Sequence, residues 1–249
     1  MHLVCPAKIN LFLVVTGKRT DGYHELFTLM CPVMLCDYIR LDFEKDGIFV
    51  DCSDPAVPED ETNLAYKAAV LFFDTANKRS ENLPTGLSVH IEKKIPVAGG
   101  LGGGSSNAAA VLNGLNQKFG YPFTKKELMD MGLQLGADIP FFISGKPALA
   151  TGIGEKLETF GGLPGFFVVI ACPPISVSTA EVYKNLNLRL TKCEKKLKYP
   201  LFKTQVFNAE KHLCNDLEAV TASWHSEIET AKKVLTDKGA AGALMSGSG

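Results

Sequence analysis

Glycine fills five of the six positions from Gly99 to Gly104, and Ser105, Ser106 and Asn107 follow at once. Positions without a side chain let a backbone approach a ligand closely and take dihedrals that other residues avoid. The run starts after Pro96-Val97-Ala98 and lies between two periodic segments. Before it, Leu87, Val89 and Ile91 alternate with Ser88, His90 and Glu92, a half-buried strand. After it, Ala108, Val111, Leu112, Leu115 and Phe119 trace one face of a helix. Free amides at the start of such a helix, together with its dipole, bind anions. Ser105 and Ser106 can cap that helix or donate to a phosphate or its magnesium. The three commonest phosphate loops do not fit: no lysine follows the glycines, and position 105 is serine where the dinucleotide and protein-kinase patterns place glycine. A phosphate cradle of another type is the expected function, and a flexible glycine turn is the alternative.

Two further residues could act on a bound phosphate. Asp138 follows a helical segment ending near Gly136 and precedes Pro140, which puts a carboxylate on a constrained turn. It is a candidate general base; a turn or N-cap role is the alternative. Lys8 is a cation in a stretch otherwise apolar apart from asparagine, and a strand-edge lysine with its head in water is the alternative. An ammonium beside Asp138 favours the ionised carboxylate and offsets charge developing on an alkoxide. Tyr23 and His24 end a polar, glycine-punctuated loop, where an aromatic residue is less expected than in a core.

The elements that must hold these groups are mixed. Residues 3–15 and 26–43 read as strands, and Asn63 to Asn77 has helical spacing. Thr124 and Glu127 form a capping box for the helix that ends near Gly136. A short buried strand is expected at Phe166 to Ala171, helices over 179–187, 208–222 and 226–238, and a last strand beginning at Ala243 to Ser246. Strands first, then mixed elements, predict an α+β protein.

Composition narrows the function classes. The 249 residues are 46% hydrophobic, and 26 basic against 27 acidic side chains leave a net charge of −1. No basic patch points to nucleic acid, and no apolar run approaches the ~20 residues that cross a bilayer. The first eight residues lack the regions of a signal peptide, so a cytoplasmic location is expected. Seven cysteines without a CxxC pair are expected to stay reduced, and the five histidines show no metal-ligand spacing, so no protein-built metal cage is expected.

Pro96-x-x-Gly-Gly-Leu101-Gly-Gly-Gly-Ser-Ser-Asn107 resembles the ATP motif of the GHMP kinase superfamily. Pro6-Ala7-Lys8-Ile9-Asn10-Leu11 resembles its first motif, and Gly242 to Gly249 its third, in the same order. Segments Arg19 to Leu26, Gly136 to Phe142 and Asn215 to Glu218 match the branch that phosphorylates a cytidylyl polyol phosphate in isoprenoid precursor biosynthesis. The resemblance spans essentially the whole chain and implies the two-lobed GHMP kinase fold, with lobes 1–145 and 146–249 and the ligand cleft between them, ATP and Mg²⁺, and a monomer or weak homodimer acting on a small molecule. It implies Lys8 and Asp138 as the catalytic pair, and Asn63, Leu64 and Lys93 around adenine. The phosphates then fall to Pro96, Gly99, Gly100, Leu101, Gly102, Gly103, Gly104, Ser105 and Ser106. Asn10 would lie near the polyol, Tyr23 and Tyr183 would sandwich the cytosine, His24 would bond its edge, and Thr179 would contact the substrate. A packed helix residue is the alternative for Tyr183, and a solvated strand end for Lys93. Members of the superfamily continue past the third motif through a proline and a closing strand, so the end at Gly249 reads as truncated. Alternatives are a mevalonate- or homoserine-type kinase, whose acceptors offer no base to stack, and a nucleotide sensor without catalysis.

Overall fold

Branched and aromatic side chains drive the first half of the chain into two long strands, β1 (His2–Lys18) and β2 (His24–Asp42). The computed structural model describes residues 1–43, 46–79, 83, 86–188, 191, 193, 197, 202 and 205–249. β3 (Ile48–Cys52), α1 (Leu64–Asn77) and β4 (Leu87–Glu92) follow. Next come α2 (Gly103–Lys118), α3 (Lys125–Leu135), α4 (Ile139–Ser144), β5 (Ala148–Gly152) and β6 (Lys156–Thr159). The remainder holds α5 (Thr179–Lys184), α6 (Ala209–His212), β7 (Cys214–Asn215), α7 (Glu218–Trp224) and α8 (Glu227–Asp237). The mixture is α+β.

The chain forms two compact units from interleaved segments. The first comprises Met1–Lys8, Pro32–Val97 and Gly102–Gly145. In it β3 runs parallel to β4, and β4 pairs antiparallel with β2 from Tyr38↔Glu92 to Asp42↔Ser88. α1 packs on α2, and α4 packs on both α2 and α3. Phe72, Phe73, Phe119 and Phe123 interlock edge to face between α1 and the end of α2, the arrangement that ring quadrupoles favour. The box predicted for α3 is present, Thr124 and Glu127 each satisfying the other's backbone amide.

The second unit comprises Ile9–Cys31, Ala98–Leu101 and Lys146–Gly249. Here β2 pairs antiparallel with β5 from Leu26↔Gly152 to Met30↔Ala148, β5 pairs with β6, and β1 lies parallel to β7. One apolar cluster gathers Leu13, Val15, Val182, Leu217, Ile228 and Met245. A second groups Phe12, Phe27, Phe160 and Phe202.

Four expectations fail. Phe166 to Ala171 is neither paired nor buried: Phe167 and Val169 stand in solvent. Its residues favour extended backbone, but a strand also needs a partner ladder. β7 interrupts 208–222, because Cys214 and Asn215 pair with Phe12 and Leu13. Ala243 to Ser246 is not a strand; side chains hold it in place of a ladder, as described below. Finally, two of the seven cysteines are not free thiols. Cys193 and Cys214 are joined, the fold having brought their Cα atoms to 5.8 Å, within bridging range.

Candidate active site

α2 begins inside the glycine run, not after it. Gly102 is its N-cap, held at φ 72° in the left-handed region that glycine enters without strain. The first helical bond is donated by Ser106 N–H to the Gly102 carbonyl at 2.9 Å. The amides of Gly103, Gly104 and Ser105 therefore lie ahead of the ladder, as an anion site requires. No serine caps the helix, which corrects one reading of Ser105 and Ser106. Ser106 Oγ is buried without a hydrogen-bond partner among the described residues.

Lys8 and Asp138 meet beside this helix start. Lys8 Nζ lies 3.6 Å from Asp138 Oδ2, with side-chain exposures of 8% and 33%. A lysine so covered is not the strand-edge type. A Cβ on Gly102 would fall 3.2 Å from Lys8 Cγ and 2.9 Å from the Phe142 ring, so the lysine stem runs against the N-cap. Asp138 is the N-cap of α4 but makes no side-chain cap bond, so its carboxylate is not spent on the helix it starts. Such a pair, next to an amide-lined anion site, can hold an alcohol, take its proton and neutralise its oxygen.

Lys93 is buried, not solvated. Its Nζ donates to Asp37 Oδ2 at 2.5 Å and would sit 2.9 Å from a Cβ on Gly103. Asn63 caps α1, accepting from Ala65 N–H at 2.8 Å and donating to the Pro58 carbonyl at 2.6 Å, so both ends of its amide are engaged. Leu64 Cδ1 lies 3.6 Å from a Cβ on Gly104. Pro96 is exposed on the approach to the loop.

In the second unit Gly99, Gly100 and Leu101 form the other stretch of the run. A Cβ on Gly100 would come within 3.1 Å of the Ser246 carbonyl and 3.2 Å of that of Gly249, so the two glycine loops touch. The C-terminal loop is clamped by side chains. Asn215 Nδ2 donates to the Met245 and Gly247 carbonyls at 2.8 and 2.7 Å, and Glu218 Oε2 accepts from Met245 N–H at 2.7 Å. Asn10 N–H donates to Ser246 Oγ, and its amide donates to Thr28 Oγ1 at 2.8 Å. Thr179 Oγ1 bonds Ser248 Oγ at 2.7 Å, tying α5 to the same loop.

Tyr183 is stacked on His24, with centroids 5.1 Å apart and planes at 26°, which leaves no room for a base between those two rings. Burial first, then the Lys18 ammonium, hold the His24 imidazole below its usual range. Tyr23 is 60% exposed. Arg19 braces this loop, bonding Asp21 through Nε and Nη2 and Glu25 through Nη1, while the Tyr23 carbonyl accepts from Arg19 N–H. Asp37, Asn215, Glu218 and the bracing role of Arg19 were not assigned from sequence. The available signal for Asp37 was a charge inside the apolar run Met34-Leu35-Cys36-Asp37-Tyr38-Ile39.

Residues 63–146 match the model for the GHMP kinases N-terminal domain. A 4-diphosphocytidyl-2-C-methyl-D-erythritol kinase from Syntrophotalea carbinolica is 49% identical over 247 residues, covering 99% of this chain and 86% of that protein. One from Clostridium botulinum is 42% identical, covering 100% and 88%. A crystal structure of 4-(cytidine 5'-diphospho)-2C-methyl-D-erythritol kinase superposes with a TM-score of 0.78 at 34% identity, over 100% of this chain and 87% of the other. Homoserine kinase from Cytophaga hutchinsonii, at 18% identity and a TM-score of 0.64, shares the fold. The chain belongs to the 4-diphosphocytidyl-2-C-methyl-D-erythritol kinase family, a branch of the GHMP small-molecule kinases.

Proposed function

We propose that the chain transfers the γ-phosphoryl group of ATP to the 2-hydroxyl of 4-diphosphocytidyl-2-C-methyl-D-erythritol, in the non-mevalonate route to isoprenoid precursors. The single observation that carries the chemistry is the Lys8–Asp138 pair at 3.6 Å, with the Lys8 stem packed on the N-cap of α2.

ATP supplies the phosphoryl group. The amides of Gly103, Gly104 and Ser105 bind phosphate oxygens, and their charge stabilisation needs no rearrangement during transfer. Asp138 takes the proton of the acceptor hydroxyl as its oxygen bonds to phosphorus, and Lys8 offsets the charge on that oxygen. ADP leaves with the electron pair of the broken bond. The donor set suits a nucleotide-borne magnesium: the buried Ser106 hydroxyl has no hydrogen-bond partner among the described residues, and Ser105 precedes it in the first turn of α2. Mg²⁺ keeps most of its ligands from phosphate and water, and it would supply further charge neutralisation. Tyr23, His24, Tyr183, Asn10 and Thr179 serve the acceptor, with exposed Tyr23 as the face open to a pyrimidine. Asn63 and Lys93, their side chains engaged by the protein, shape the nucleotide site without bonding the base.

A coupled assay of ADP release tests this, with the cytidylyl acceptor, mevalonate and homoserine as separate substrates. Release that depends on the cytidylyl acceptor alone is expected. Release with mevalonate or homoserine instead would move the chain to a sibling specificity. Binding of ATP with no acceptor-dependent release would make it a sensor.

A further inference from the structure

We infer that Asp37 is a positioning residue for the nucleotide loop, holding the strand that enters it and the helix that leaves it to one buried carboxylate. The inference deepens the ATP reading of residues 96–106 and rests on it.

Asp37 lies on β2 and is 0% exposed. Its Oδ1 accepts from the backbone amides of Lys94 and Ile95, each at 2.8 Å. Its Oδ2 accepts from Lys93 Nζ at 2.5 Å and from Asn107 Nδ2 at 3.1 Å. Residues 93–95 are the last before the loop, and Asn107 stands in the second turn of α2. Both flanks of the glycine run, in which Leu101 alone carries a side chain, are thus tied to a single group. A buried carboxylate with four donors is a satisfied one, and removing its charge strands every donor it served.

Lys93 gives the arrangement a second consequence. Its ammonium packs against Gly103, the first residue of α2, where the helix already presents positive potential. A cation held there faces like partial charge and loses water, so it stays only while Asp37 compensates it. With Asp37 in place, the ammonium adds to the field that the first-turn amides present to a phosphate. Without it, the Lys93 ammonium must leave, and the amides lose both support and field.

The test compares Asp37→Asn and Asp37→Ala with the wild type by calorimetry, using a non-hydrolysable ATP analogue and cytidine diphosphate as probes, and by steady-state kinetics. Asparagine keeps an acceptor for the Lys94 and Ile95 amides but offers a donor to Lys93. The KM for ATP is expected to rise at least about tenfold in Asp37→Asn and further in Asp37→Ala. The KM for the acceptor should stay within about twofold, a split that a general loss of stability would not give. Adding Lys93→Met to Asp37→Asn should raise the ATP KM little beyond Lys93→Met alone, because the two residues act as one unit. If the Asp37 variants do not fold, Asn107→Ala keeps the ion pair and removes one tie; its ATP KM should rise about threefold or more with the acceptor KM unchanged. Equal shifts for both substrates, or a wild-type ATP affinity in a folded variant, would overturn the inference. A wild type that binds no nucleotide analogue would instead sink the ATP reading beneath it.

Discussion

The ammonium of Lys8 and the carboxylate of Asp138, 130 residues apart in sequence, stand 3.6 Å from each other at the start of α2. Of the two, the carboxylate is the more open, as a base that must meet an incoming alcohol has to be. In the proposed reaction they act on one oxygen, so their effects should not add. Lys8→Met and Asp138→Asn are each expected to lower kcat by about 100-fold or more, with the KM for ATP little changed. The double variant should be scarcely slower than the worse single one. Steady-state kinetics of the three variants checks this, and additive losses would show that the residues work independently.

Gly102 has two reasons to be glycine, its left-handed φ of 72° and the Phe142 ring 2.9 Å from where a Cβ would lie. Gly120 has a similar φ of 75° but open space around it. Gly120→Ala therefore isolates the dihedral cost, about 1 kcal/mol, and Gly102→Ala adds displacement of a packed ring, for roughly 2–3 kcal/mol. Urea midpoints of the two variants measure the difference. Equal losses would mean that Phe142 yields without cost.

The helix after the glycine run was legible because its apolar side chains recur at helical spacing and Gly102 takes the left-handed φ of its N-cap. The capping box at Thr124 and Glu127 was legible because four consecutive residues contain the whole interaction. Lys8 and Asp138 could be named by motif, but their approach is a product of the fold. Asp37 was missed because its donors lie 56 to 70 positions away and no local pattern joins them. The same holds for Cys193 and Cys214, where pairing of β7 with β1 places Cys214 and the Asp216 carboxylate accepts from Cys193 N–H. At 166–171 the side chains favour extended backbone and say nothing about what lies opposite, so the predicted buried strand failed.

Exposed Tyr23 and the stacked pair His24–Tyr183 make separable contributions to the acceptor in the proposed function. Tyr23→Ala removes only the open face and should raise the acceptor KM about tenfold, at ~1–1.5 kcal/mol for a lost aromatic contact, leaving the ATP KM and the melting temperature unchanged. Tyr183→Ala also opens a packed cluster and should lower the melting temperature as well. Kinetics with each substrate varied in turn, beside thermal melts, tells the two apart. An ATP KM that rose with Tyr23→Ala would remove that loop from the acceptor.

His24 and His212 set a pH window for stability. Burial first, and then a neighbouring lysine, Lys18 or Lys211, holds each imidazole below the usual range. The unfolded chain therefore takes up protons on these rings before the folded one does. Their contribution is complete above the ordinary histidine value near 6.5 and is lost as pH falls below it toward the folded values. Melting temperature is expected to drop from pH 7 to pH 5.5, and a His24→Gln, His212→Gln variant should show a shallower slope. An unchanged slope would assign the acid loss to other groups. Glu127, held down to about 2 by Arg79 and the Thr124 cap, acts only in a lower window, losing its contribution as pH falls from about 4.5.

The Cys193–Cys214 bridge closes a span of 21 residues and ties that span to β7, one residue ahead of the Asn215 that clamps the C-terminal glycine loop. Loop-closure entropy for a span of this size is about 3 kcal/mol, so reduction, or Cys193→Ser with Cys214→Ser, should lower the unfolding free energy by up to that amount. Thiol counting checks the pairing itself. Cys5, Cys31, Cys36, Cys52 and Cys172 carry thiols, so denatured, unreduced protein should take five alkyl labels and reduced protein seven. Burial pushes the Cys5 thiol up to about 12, so in the folded protein it should be the last of the five to react. Seven labels without reductant would dissolve the bridge and leave the clamp at Asn215 to hydrogen bonds alone.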